Sequence, residues 1–143
     1  MKWAALVAWV LTAGGGFVLL SIYLARGGMR QAREAGNRIR PPMILGHFLL
    51  AAAGLVVWVV YVWKDKDVLA WIAFAILVVV AAIGWTMFAI WLRRRQARPA
   101  PDAVTPDTPP EQHFPVPIVA LHGLLAVTTV ILVLLTAAGV GGS

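Results

Sequence analysis

Four uninterrupted apolar runs, Trp3–Leu24, Met43–Trp63, Val68–Leu92 and Val116–Val140, leave this chain few folds to choose from. Each has at least the ~20 residues that cross a bilayer core as a helix. Hydrocarbon offers no water to satisfy backbone amides, so runs of this length read as helices. Composition agrees. Of 143 residues, 61% are hydrophobic and 13% charged, whereas a soluble domain carries about 25% charged residues. The expectation is a single all-α membrane domain over residues 1–143, an integral four-helix bundle. The first run follows Lys2 and passes the small residues Ala13-Gly14-Gly15, as a cleaved signal would, yet it stays apolar to Leu24 and stops at Arg26. That is longer than a signal-peptide core, so it is expected to be a retained helix.

The basic residues orient the bundle. Arg26, Arg30, Arg33, Arg38 and Arg40 follow the first run, and Arg93, Arg94, Arg95 and Arg98 follow the third. The opposite ends hold Lys2, Lys64 and Lys66, the last two offset by Asp65 and Asp67. Cytoplasmic loops carry the excess of arginine, which puts both arginine segments inside a cell membrane and both termini outside. The net charge of +6 therefore acts on topology and anionic lipid. No module for nucleic acid is present. With no cysteine, disulfides, thiolate metal sites and cysteine nucleophiles are excluded. Trp3, Trp63, Trp71 and Trp91 fall near run ends and read as interfacial anchors, while Tyr23 and Tyr61 read as packing or interfacial residues.

Lys64–Asp67 is too short for anything but a tight turn, so the second and third helices are antiparallel neighbours. Gly27-Gly28 breaks the first helix, and Pro41-Pro42 suits the first turn of the second. Residues 98–115, with Pro99, Pro101, Pro106, Pro109, Pro110 and Pro115, read as a disordered or polyproline-like cytoplasmic linker. His113 falls there as an interfacial loop residue. The Gly139–Ser143 tail is expected to fray.

Two segments repeat. Pro42-Met-Ile-Leu-Gly-His47-Phe-Leu-Leu-Ala51 matches Pro117-Ile-Val-Ala-Leu-His122-Gly-Leu-Leu-Ala126, with the histidine five residues after a proline in both. On the other helices, Gly16-Phe17 and Ile22-Tyr23-Leu24 match Gly84-Trp85 and Ile90-Trp91-Leu92. The unit is then a helical hairpin used twice in tandem, which implies a pseudo-two-fold axis along the membrane normal. That axis sets the second and fourth helices opposite each other and brings His47 to face His122.

An intramembrane imidazole is costly and is a functional-site hypothesis by default. Two facing imidazoles with no acid or thiolate nearby suit the axial positions of a haem iron in apolar walls. Ala51 and Gly54 lie one and two turns beyond His47, and Ala126 and Thr129 beyond His122, leaving space for a flat ring. Gly16 and Gly84 stand at a comparable depth to admit its edges. Arg38, Arg40 and Arg93 can pair with propionates. Each feature also has a plainer reading. A membrane histidine often bonds a neighbouring helix, small residues line any close helix contact, and topology alone accounts for the arginines.

Four helices, a hairpin repeat and the His47/His122 pair resemble the cytochrome b family at large, including b561-type proteins. That resemblance implies haem b, single-electron transfer and a quinone or redox-protein partner. It also marks a departure, because b561-type proteins carry histidine pairs near both faces and this chain carries one. One haem is then the most it can hold. The stretch from His113-Phe-Pro-Val-Pro to Leu121-His122-Gly-Leu-Leu-Ala126 is also similar to small membrane proteins of high-GC actinobacteria, a likeness that names no activity.

Other classes fit less well. A transporter usually needs intramembrane carboxylates or broken helices, and all six acidic residues lie outside the runs. Two histidines without a third ligand make a poor zinc site, and no catalytic residue set is present. Electron transfer is therefore expected ahead of substrate chemistry. The rival is a non-catalytic accessory or assembly subunit without cofactor, with Gly14-Gly15-Gly16 as a close-packing surface. A homodimer that builds its site between chains, or a larger membrane complex, also stays open.

Overall fold

In a computed structural model, residues 1–31, 39–97 and 108–140 are described. Arg33, Arg38, Arg98 and most of the proline-rich linker lie outside them. Four long helices account for most of the described chain: α1 (Lys2–Ala25), α3 (Pro41–Lys64), α4 (Asp67–Gln96) and α5 (Val116–Ala137), with a one-turn α2 (Gly28–Gln31) after α1. All four are long and apolar enough to cross a membrane, and no strand occurs among the described residues.

The helix ends follow local chemistry. α3 opens on Pro41 and Pro42, where no amide is needed. α4 runs past its last apolar residue through Arg93, Arg94 and Arg95, whose charge suits a helix C-terminus. α5 stops at Ala137, ahead of Gly139 with its positive φ of 75°. Between α3 and α4 the chain reverses through Asp65, held left-handed at φ 52°. The Lys2 ammonium meets the Asp65 carboxylate there at 2.8 Å.

α1 packs most extensively along α5, and α3 along α4; α1 with α3 and α4 with α5 complete the ring. Around the bundle the order is α1, α3, α4, α5, so α1 faces α4 and α3 faces α5 across the diagonals. The apolar core is concentrated at the end that holds Lys2 and Asp65. Trp9 and Trp58 meet at 6.3 Å between ring centres, and Trp58 stacks toward Tyr61 at 4.8 Å. Ala5, Ala70 and Ala73 are buried beside them, their small side chains letting large rings enter. Trp58 also donates its indole N–H to the Lys2 carbonyl at 3.3 Å. Outward-facing positions are apolar too, with Phe17, Leu49, Val56, Leu121 and Leu124 exposed. Aqueous solvent would disfavour such a shell; lipid would not.

The end of the linker is packed. Pro110–His113 forms a 3-10 turn against α1 and α4 at the arginine-bearing end, and Glu111 and Gln112 are buried. Within residues 98–115, expected to be disordered or polyproline-like, the described part packs through this turn, with Pro109 and Pro115 in extended backbone on either side. Proline and threonine advertise a linker, while the contact that seats this turn is tertiary.

Candidate functional site: a facing histidine pair

His47 lies six residues into α3 and His122 six into α5. Both helices start at the arginine-bearing end, so the imidazoles share one level, roughly 9 Å in at ~1.5 Å per residue. Their ring centres stand 6.4 Å apart, with the planes at 65°. The pair spans the α3–α5 diagonal.

Each ring is fixed by the helix beside it. His47 Nδ1 lies 3.0 Å from the Val80 carbonyl on α4, and His122 Nδ1 lies 2.9 Å from the Thr12 carbonyl on α1. A carbonyl oxygen only accepts, so both Nδ1 atoms carry the proton and donate it. In the neutral rings Nε2 then keeps its lone pair. Metal-ligating histidines are commonly oriented through a donated second N–H of this kind.

Gly16 and Gly84 make these bonds reachable. Thr12 is four residues before Gly16 and Val80 four before Gly84, so each acceptor carbonyl points along the helix toward a residue without a side chain. A Cβ at Gly16 would meet His122 Cε1 at 3.0 Å, and one at Gly84 would meet His47 Cε1 at 3.1 Å. Gly15 also borders His122, at 3.5 Å to its Cβ. Thr12 and Val80 are separated by the same 68 residues as Gly16 and Gly84, so the two halves of the site are built alike.

They differ one step further from the arginine-bearing end. On the His122 side, the Thr12 and Thr129 hydroxyls lie 3.0 Å apart, each also 2.8 Å from a carbonyl of its own helix, Ala8 and Leu125. Two hydroxyl protons cannot fill three bonds, so one hydroxyl donates to its own helix and the other has a choice of acceptor. On the His47 side the matching residues are Val80 and Gly54. Gly54, expected to leave space for a flat ring beyond His47, faces Trp9, 3.0 Å from a built Cβ, and Ile76 at 3.1 Å. It makes room for the indole that seals the core.

The other anticipated residues are placed as follows. Ala51 and Ala126 are half-buried, one turn beyond each histidine. Thr129 is buried and reaches His122 only through Thr12. Arg40 and Arg93 are exposed at the mouth of the bundle, and Arg38 lies outside the described residues. Trp91, expected as an interfacial anchor, is buried beneath the bundle, as is Tyr23, whose hydroxyl donates to the Gly28 carbonyl at 3.0 Å. No cluster of three or more metal-binding side chains occurs among the described residues. Thr12 and Val80 carry no side-chain signal for this site because they act through backbone carbonyls, and Gly15, part of the Gly14-Gly15-Gly16 close-packing surface, meets His122 through absence of a side chain. Their signal is position: four residues, or one, before the repeated glycines.

His47 and His122 together offer two imidazole nitrogens. Neutral imidazole is a ligand type that a haem iron would accept. Zinc would need further ligands. No protein-family model, curated protein or solved structure matches the chain.

Proposed function

We propose that this chain is a multi-pass membrane protein, a tandem duplication of a helical hairpin, that holds one b-type haem between His47 and His122 and carries single electrons. The observation that carries the reading is the facing pair, 6.4 Å between ring centres, with both Nδ1 atoms committed to neighbouring helices. The like construction of the two halves supports the duplication. The arginines of residues 26–40 and 93–98 support placing that end in the cytoplasm and both termini outside. When bound, haem supplies reversible one-electron chemistry at iron. The chain's residues orient two neutral imidazoles, exclude water from the far side with Trp9 and Trp58, and present basic groups at the mouth for acidic edges. A membrane quinone or a redox protein is the partner class.

A second reading is favoured by the closed packing at Gly16 and Gly84. Both imidazoles already bridge helices, which is what a structural motif in an accessory or assembly subunit would do. The reduced-minus-oxidised absorbance spectrum of protein purified from haem-supplied cells separates the two. A sharp bis-histidine α-band, lost in His47→Ala and in His122→Ala, supports the cytochrome reading. A colourless wild type overturns it and leaves the accessory subunit.

A further inference from the structure

At the arginine-bearing mouth the Pro110–His113 turn packs across α1 and α4. Glu111 is 1% exposed and Gln112 4%, and they sit at the level where Tyr23 of α1 and Trp91 of α4 are 2% and 4% exposed. Trp91 is seven residues beyond Gly84, and Tyr23 seven beyond Gly16, so this layer lies about 10 Å beneath the histidines at ~1.5 Å per residue. The seating is poorly satisfied. Gln112 Nε2 reaches the Trp91 carbonyl at a long 3.5 Å. Among the described residues, the buried side-chain atoms without a hydrogen-bond partner are Trp91 Nε1, Glu111 Oε1 and Gln112 Oε1. All three belong to this one contact. Polar atoms buried without partners oppose burial, because the hydrogen bonds they made to water are not replaced.

We propose that the turn is a displaceable lid, and that the Glu111 carboxylate holds the place of an acidic side group on the ligand taken by the histidine layer. The inference rests on the cytochrome reading of that layer. A flat ligand between the imidazoles must direct its acidic edge toward this mouth, because Trp9, Trp58 and Tyr61 fill the opposite end. The turn occupies that space with a carboxylate of its own. An entering carboxylate accepts a hydrogen bond from the idle Trp91 N–H. The displaced Glu111 and Gln112 oxygens regain water. Ligand entry and lid release thereby become one exchange of a carboxylate for a carboxylate.

The test uses the absence of cysteine. Gln112→Cys, with Glu111 intact, is treated with a water-soluble maleimide alone, with haemin, and with haemin dimethyl ester, while absorbance is followed. Slow labelling of the bare protein should rise roughly tenfold with haemin, as the open population grows. The diester should give the bis-histidine spectrum without that rise. Thr108→Cys, also in the buried approach to the turn, repeats the measurement with Gln112 in place. A bis-histidine spectrum with labelling unchanged or slowed by haemin overturns the lid and spares the cytochrome reading. Equal acceleration by the diester overturns the placeholder role of Glu111. No spectral change with either porphyrin overturns the cytochrome reading and the lid together.

Discussion

The imidazoles of His47 and His122 face each other at 6.4 Å while hanging from different helices, His47 from the Val80 carbonyl and His122 from the Thr12 carbonyl. The bundle's diagonal is thus bridged by two rings, each braced sideways by a neighbour. Any swing that carries a ring away from its carbonyl breaks its brace.

Gly16→Ala and Gly84→Ala should each displace one imidazole, since the added methyl arrives 3.0 or 3.1 Å from Cε1. Overpacking of this kind costs about 1–3 kcal/mol. Thermal unfolding in detergent reads the loss. Gly14→Ala is the control, as a Cβ there meets nothing within 4 Å, and its midpoint should hold or rise, because alanine is the better helix former by about 0.5–1 kcal/mol.

Thr12→Val and Thr129→Val should each cost about 0.5–1.5 kcal/mol, in the range of interhelical hydrogen bonds in membranes. Both remove the same 3.0 Å contact. The double variant should therefore cost clearly less than the sum of the singles. Additive losses in a double-mutant cycle would show that the hydroxyls act only within their own helices.

Gly54→Leu should be more damaging than either glycine change at the histidines, because Trp9 lies 3.0 Å from a built Cβ and Trp9 is buried in the core. Trp58→Ala should cost about 3–5 kcal/mol, the range for deleting a buried large ring. Partial recovery of stability when Gly54→Ala is combined with Trp9→Phe would confirm that the glycine serves the indole. Chemical denaturation followed by tryptophan fluorescence reads both.

Asp65→Ala should destabilise by about 1 kcal/mol, combining a left-handed backbone without a suitable side chain with loss of an exposed ion pair worth little alone. Asp65→Asn keeps the residue type that tolerates φ 52° and should fall within about 0.5 kcal/mol of wild type. Similar losses in both variants would assign the effect to the Lys2 pair.

The helices were legible because apolar run length is a one-dimensional property, and their observed limits differ from the runs mainly where charge continues a helix, as at Arg93–Gln96. The histidine pair was legible because a repeated motif places like residues at like depth. Spacing along α3 cannot say which helix meets Gly54, and Trp9 enters there from α1. The Val80 and Thr12 carbonyls carry no side-chain signature at all. Trp91 and Glu111 were hidden for another reason: burial beneath a turn depends on a contact between segments, and composition records only the segments.

The aromatic packing of Trp9, Trp58 and Tyr61 at one end has a mechanical consequence. The bundle is built like tongs riveted at the Lys2–Asp65 end, where the buried aromatic rings gather, while the described contacts toward the arginine-bearing end include two imidazoles and a poorly bonded turn. Cooperative units open where buried apolar contact is sparse. The arms should therefore part from the arginine-bearing tips while the rivet holds, so that amide protons near Tyr23 and Trp91 are expected to exchange with solvent sooner than those around Trp58.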